Sequence, residues 1–297
     1  MCAAWPPHWS GLRRRSPPRK AKLILRAKRV PARRTRLVKK PRGLRARRNF
    51  ESGGAKLKAK IAAASGVKTA EGRRVALFGG TFDPIHSGHV AVARAAERRF
   101  HLDYVFFIPS SRPPHKPAAE LSAYEHRFAM VALACSAHPR FVPSLAEASV
   151  NGAGPRVFYS IDTVRRFRQQ FNRRGDRIYF MVGADSFLHL QTWKDYAQLL
   201  QLCDFVVANR PGFRIGALRE VIPPALLAPA AAKATRDSRV IRLRDTVVYL
   251  LETVASHVSA TDVRQRAEGG QSVHGLVPPR VEEYITKQAL YRRALYT

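Results

Sequence analysis

Cysteine is scarce here: Cys2, Cys135 and Cys203 are the only three in 297 residues, and none stands in a CxxC pair. That spacing argues against a disulfide framework and a thiolate zinc site, and it points to a reducing cytoplasm. Long apolar runs are also missing. None approaches the roughly 18–20 residues of a membrane-spanning helix, and the first residues lack the apolar centre of a secretory signal. A soluble chain with no transmembrane segment is the expectation. Acidic residues are few, with 21 Asp and Glu against 53 Lys and Arg, a formal net charge of +32. The shortage is uneven, because residues 1–72 hold 22 of the basic side chains and only Glu51 and Glu71 in return. Two bodies of different character therefore meet near residue 72.

The first body is dense in arginine and proline, and its one short apolar run is "LIL" at 23–25. It cannot bury enough surface to offset the entropy of ordering, so residues 1–72 are expected to form a disordered basic extension. Such a segment suits contact with nucleic acid or an anionic surface through phosphate neutralisation. A solvated tail, a transit peptide and text upstream of the mature protein are the competing readings.

From residue 73 to 297 short apolar runs alternate with amphipathic stretches. Strands are expected at 75–78, 104–109, 178–182, 205–208 and 247–251, and helices at 89–100, 123–137, 160–171 and 193–202. Nearly continuous apolar strands separated by helices predict a doubly wound α/β domain whose parallel sheet is covered on both faces. Sheets of this kind bind ligands at the carboxyl ends of their strands.

One such end carries "GGTFDPIHSGH", residues 79–89. Gly79 and Gly80 let the backbone approach a ligand, and the helix that follows offers unpaired N–H groups and a positive dipole end. His86 and His89 are three apart, with Gly88 leaving room between them, so both rings can face one anion. Two capping histidines beside a glycine-rich turn would be the plain structural reading, but it leaves Thr81, Asp83 and the glycines as coincidence. Zinc on the two histidines and Asp83 is the other reading; it lacks a further ligand and also leaves the glycines unexplained.

"GTFDPIHSGH" resembles the phosphate-binding signature of the HxGH nucleotidyltransferase superfamily. "IPSSRPPHKP" (108–117), "HRFAMVALA" (126–134), "FYSIDTVRRFR" (158–168), "YFMVGADSFLHLQTWKDY" (179–196), "VVANRPGF" (206–213) and "VSATDVRQR" (258–266) follow in order. The series resembles the bacterial nicotinate-nucleotide adenylyltransferase family over essentially residues 73–297. What the resemblance implies is a Rossmann-like nucleotidyltransferase fold and transfer of the adenylyl group of ATP to nicotinate mononucleotide, with release of pyrophosphate. By the same resemblance His86 and His89 contact the ATP phosphates, with Thr81 and the Gly79–Gly80 backbone holding the reacting phosphate from the other side. Ser259, Thr261 and Arg264 grip the departing pyrophosphate, although Ala260 stands where the family often has a second serine. Arg210 lies near ATP. On the acceptor side Asp185, after Gly183, suits ribose hydroxyls, Trp193 the nicotinate ring, Ser160 the pyridine carboxylate, and His115 with Lys116 the mononucleotide phosphate. Arg127 and Met130 read as helix anchors. Mg²⁺ is expected to arrive with ATP on its phosphates, with no protein residue assigned to it.

Other acceptors within the superfamily, nicotinamide mononucleotide or phosphopantetheine, are the nearest alternatives. Class I aminoacyl-tRNA synthetases share HxGH but add a Lys-Met-Ser-Lys-Ser-type loop that is absent here. A nucleic-acid-binding protein with a vestigial nucleotide site has no need for two phosphate-facing motifs.

Overall fold

The computed structural model describes residues 72–111, 121–148, 157–209, 215–229, 239–252 and 258–292. The basic extension, His115, Lys116 and Arg210 lie outside the described residues. Seven strands form one sheet: β1 (Arg74–Gly80), β2 (Tyr104–Pro109), β3 (Phe141–Pro143), β4 (Arg177–Gly183), β5 (Asp204–Asn209), β6 (Val240–Arg242) and β7 (Val247–Glu252), in the order β3-β2-β1-β4-β5-β7-β6. All five anticipated strands are present and parallel. The sheet is nevertheless mixed, because β6 pairs antiparallel with β7 at its edge. β3 and β6 escaped the sequence reading because three residues are too few to display a period.

Alternation within each strand divides the core in two. Ala76 and Phe78 of β1, Val105 and Phe107 of β2, and Tyr179 and Met181 of β4 face one way. They pack against α1 (Ser87–Phe100), α2 (Tyr124–Cys135), α7 (Ala260–Glu268) and α8 (Pro279–Lys287). Val75, Leu77, Phe180, Val182 and Phe205 face the other way, against α3 (Ser160–Gln170), α4 (Ala184–Leu188), α5 (Tyr196–Leu202) and α6 (Ile215–Glu220). Every central strand is thus buried on both faces, which is why its sequence is a continuous apolar run. The expected helix at 193–202 begins late. A 3-10 turn occupies Leu190–Thr192, and α5 starts only after Asp195, which takes a left-handed φ of 49°. Trp193 is therefore a loop residue.

Chain order reverses between β1 and β4, which pair in register from Arg74 opposite Arg177 to Phe78 opposite Met181. A crevice opens beyond their carboxyl ends, the usual ligand position in open α/β sheets. One buried cation holds its rim. Arg127 of α2 is 2% exposed; its Nε donates to the Ser122 carbonyl (3.0 Å) and its Nη1 to the carbonyls of Thr81 (2.9 Å) and Ser110 (2.7 Å). Nη2 donates to the Ser111 carbonyl at 3.3 Å. The loops leaving β1 and β2 and the entry to α2 are tied to one planar group. Met130, fully buried, does anchor α2 in the core as expected; Arg127 does more than that.

Replacing Arg127 by Met keeps the aliphatic volume but strands these carbonyls. A loss on the order of 3 kcal/mol or more is expected in urea unfolding of the full chain. Lys, a single ammonium without the fork, should recover less than half of it.

Candidate active site

The turn from β1 into α1 is set by packing. Phe82 has a left-handed φ of 50° and turns its ring under His89, with centroids 5.0 Å apart, and against Phe78 at 5.6 Å. A Cβ on Gly80 would meet that ring at 3.0 Å, so any larger residue would have to push the ring aside. His86 and His89 stack with centroids 3.7 Å apart. The His86 N–H donates to Nδ1 of His89 (3.2 Å), so neutral His89 carries its proton on Nε2, a donor available to a ligand. Nδ1 of His86 is buried without a hydrogen-bond partner.

Burial pushes the His86 pKa down to about 4, against the opposing pull of the Asp262 carboxylate. His89 lies well below its ordinary value through burial first and the neighbouring His86 second. Both rings are neutral at pH 7 in the free protein. An anion beside them reverses the balance, since it favours the charged form of each imidazole.

A second anion-ready terminus faces them. Ser259 caps α7, accepting from the Asp262 N–H (3.1 Å) while its own N–H donates to Asp262 Oδ2 (3.1 Å). The Ser259 hydroxyl also donates to Asp262 Oδ2 at 2.7 Å, so it is committed within the capping box rather than free for phosphate. The amides of Ala260 and Thr261, the first two of the helix, have no intrahelical acceptor and remain for an anion. Arg264 joins the two motifs across 181 residues, donating through Nη1 to the Asp83 carbonyl (2.7 Å) and through Nη2 to Thr261 Oγ1 (3.3 Å). Ser87, between the histidines, adds a tie to the Leu276 carbonyl through both its N–H and its hydroxyl, each at 2.8 Å. A cavity of about 450 Å³ lies along α7, lined by Val258, Asp262, Gln265, Arg266, Gly269, Gln271 and Leu276.

The other half of the crevice is assembled from β4, α3 and the Trp193 loop. Gly183, not Asp185, occupies the N-cap of α4, and the Asp185 side chain is exposed at the strand end. Ser160 is the first residue of α3. Trp193 sets its edge on Phe180 with centroids 6.0 Å apart and is partly buried. Lys194 links it to α3: the ammonium lies 4.5 Å from the Tyr159 ring centroid and 3.5 Å from Asp162 Oδ2. Below them the Thr163 hydroxyl donates to Glu147 (3.0 Å), whose pKa burial raises to about 7. Ser160, Asp185 and Trp193 thus lie at the start of α3, the start of α4 and the loop after it, while the turn from Gly79 to His89 is tied to Thr261 and Arg264 through the Asp83 carbonyl.

Sequence reasoning missed the supporting residues. The Asp83 carboxylate bonds neither imidazole; it accepts from the Ser122 N–H and the Tyr291 hydroxyl. Tyr291 and Ser122 carry no motif, whereas a lone arginine in the apolar stretch 126–134 was a legible signal for Arg127. Among the described residues no group of three or more His, Cys, Asp or Glu is placed to hold a metal ion, and no helix is long and apolar enough to cross a membrane.

The cytidylyltransferase-like family model matches residues 77–266. The chain is 38% identical over 222 residues to a probable nicotinate-nucleotide adenylyltransferase of Moorella thermoacetica, covering 75% of this chain and 93% of that one. A protein of the same name from Thermoanaerobacter sp. is 34% identical over 220 residues, 95% of its length. Among solved structures, Plasmodium falciparum nicotinic acid mononucleotide adenylyltransferase complexed with APC superposes with a TM-score of 0.54 at 14% identity, over 74% of this chain and 97% of that one. That likeness is one of fold.

The histidine pair predicts a pH signature. Folded-state values below 6.5 mean that protons bind the unfolded chain first. Stability from this source is full above pH 6.5 and declines as pH falls towards 4. The His86 ring resonance should titrate near pH 4 in the free protein and near or above 6.5 with bound triphosphate; an apo value near 6.5 would remove burial as the controlling influence.

Proposed function

This chain belongs to the nicotinate-nucleotide adenylyltransferase family, within the cytidylyltransferase-like nucleotidyltransferases, and from that premise we propose how its residues 73–297 carry the reaction. It is an enzyme that transfers the adenylyl group of ATP to nicotinate mononucleotide, yielding nicotinate adenine dinucleotide and pyrophosphate, a step of NAD biosynthesis. One observation carries the mechanism: the turn that bears two neutral histidines, one with an unpartnered buried nitrogen, is tied through the Asp83 carbonyl and Arg264 to a second helix terminus with free amides. That spacing of positive ends suits a triphosphate.

The nucleophile is a phosphate oxygen of the mononucleotide, already anionic, so no strong base is needed. It bonds to the α-phosphorus as the bond from that phosphorus to the bridging oxygen breaks, and pyrophosphate leaves with the electron pair. The protein supplies alignment and charge stabilisation. We assign His89 Nε2–H and His86 to the transferring phosphoryl, Thr81 and the Gly79–Gly80 backbone to its opposite side, and the Ala260 and Thr261 amides with Arg264 to the β- and γ-phosphates. Protons drawn onto the imidazoles as ATP binds would strengthen these contacts. Trp193 stacks on the nicotinate ring, the Ser160 hydroxyl meets its carboxylate, and Asp185 accepts from ribose hydroxyls; Arg210, His115 and Lys116 keep their assignments from the motif series. Magnesium enters as part of the MgATP substrate. The Asp83 carboxylate is held by two donors, so the ion would be carried by phosphate oxygens and water rather than by that side chain. Cys135 and Cys203 are buried free thiols, in keeping with a reducing cytoplasm.

The full chain with MgATP should form dinucleotide from nicotinate mononucleotide in preference to nicotinamide mononucleotide and phosphopantetheine. Reversed preference would reassign the acceptor. His89→Ala should lower kcat by about 10²–10³-fold, the usual effect of removing a transition-state donor; turnover within threefold of the parent would exclude it from the chemistry. Trp193→Ala should raise the KM for nicotinate mononucleotide about tenfold, as loss of one stacked base does, with the KM for ATP unchanged. An unchanged mononucleotide KM would make Trp193 a packing residue only.

A further inference from the structure

Asp83 is 2% exposed, and its bonds reach three segments distant in sequence. Oδ1 accepts from the Tyr291 hydroxyl at 2.7 Å, Oδ2 from the Ser122 N–H at 3.1 Å, and its carbonyl from Arg264 at 2.7 Å. Tyr291 follows α8 in a left-handed conformation (φ 66°), and its partly buried ring packs against the core on the α1 face. Burial and the adjacent Asp83 carboxylate hold its phenol far above the ordinary value, so the hydroxyl stays protonated as a donor. A residue six positions from the end of the chain thus bonds into the turn that carries the two histidines.

We propose that Tyr291 is a positioning residue for the triphosphate: by fixing the Asp83 carboxylate it fixes the carbonyl on which Arg264 rests, and so registers the histidine turn against the start of α7. This rests on reading those two termini as one triphosphate cradle. The mechanism is a competition for donors. With the hydroxyl in place both carboxylate oxygens are satisfied, and Arg264 bonds the Asp83 carbonyl instead. Without it, Oδ1 is a buried oxygen that has lost its donor; Arg127, the other guanidinium near Asp83, is already committed to four carbonyls, which leaves Arg264 as the strongest donor it can recruit. Arg264 then swings towards the carboxylate and away from the phosphates. The acceptor half shares none of these bonds and should not respond.

The test uses the full chain and a non-hydrolysable ATP analogue with Mg²⁺, whose binding by calorimetry requires no acceptor. Tyr291→Phe keeps the ring and removes only the hydroxyl. Analogue affinity should fall about five- to tenfold and the KM for ATP should rise in step, with the KM for nicotinate mononucleotide within twofold of the parent. Tyr291→Leu should lower the melting temperature further without further loss of analogue affinity. Analogue affinity that is unchanged in the Phe variant, or that tracks melting temperature across the pair, would make Tyr291 a packing residue and overturn the proposal. An equal rise in both KM values would overturn it as well. If nicotinate mononucleotide proves to be the wrong acceptor, the calorimetric result stands by itself.

Discussion

Four backbone carbonyls converge on the guanidinium of Arg127, and the position of the whole crevice follows from that convergence. Strand ends in a parallel sheet leave carbonyls with no ladder partner, and buried carbonyls must find donors. A planar group with five N–H donors meets the demand of two loops at once, where separate waters or hydroxyls would leave each loop to move alone. The glycines at the end of β1 come just before, and the ring of Phe82 and the stacked histidines just after, a Thr81 whose carbonyl is already held. The shape of the turn that leaves β1 is thus dictated from inside α2.

Above that frame sit two imidazoles that burial keeps neutral in the free protein. Two imidazoles in van der Waals contact, partly withdrawn from water, would repel each other as cations. Keeping them neutral avoids that repulsion in the free protein, and on the proposed mechanism their protonation would follow the arrival of phosphate. The second terminus follows a different rule. Its capping box is complete within itself, so its two remaining amides are held in place before any ligand binds and need no reorganisation when one does.

Much of this was legible in the sequence, and the reasons differ from residue to residue. Strands β1, β2, β4, β5 and β7 were readable because burial on both faces demands unbroken apolar runs. His86, His89 and the SATDVR segment stood out as candidates because phosphate chemistry needs particular residue types at short spacing. β3 and β6 were not, since three residues at an edge carry no pattern. The start of α5 was misplaced because Trp193, Lys194 and Asp195 have ordinary helix-compatible identities; a left-handed Asp195 and contacts to α3 override that local preference. Tyr291, Ser122 and the carboxylate role of Asp83 were hidden for a third reason. Each is defined by partners more than 30 residues away, and a single tyrosine near a chain end looks the same whether it is solvated or bonded to the centre of the molecule. Ser259 shows the converse, a motif residue whose hydroxyl is occupied within its own cap.

The two halves of the crevice are fastened by different kinds of contact. Asp83 and Arg127 are buried and interlocked, so a change at any of them disturbs several bonds together. The acceptor half is joined by Lys194 to Asp162 and Tyr159, side chains roughly half exposed to water and replaceable one at a time. On the proposed assignment of the two sides, the phosphate side tolerates change only as a block, while the acceptor side can be altered one residue at a time. A lineage built on this frame can change what it adenylylates without relearning how.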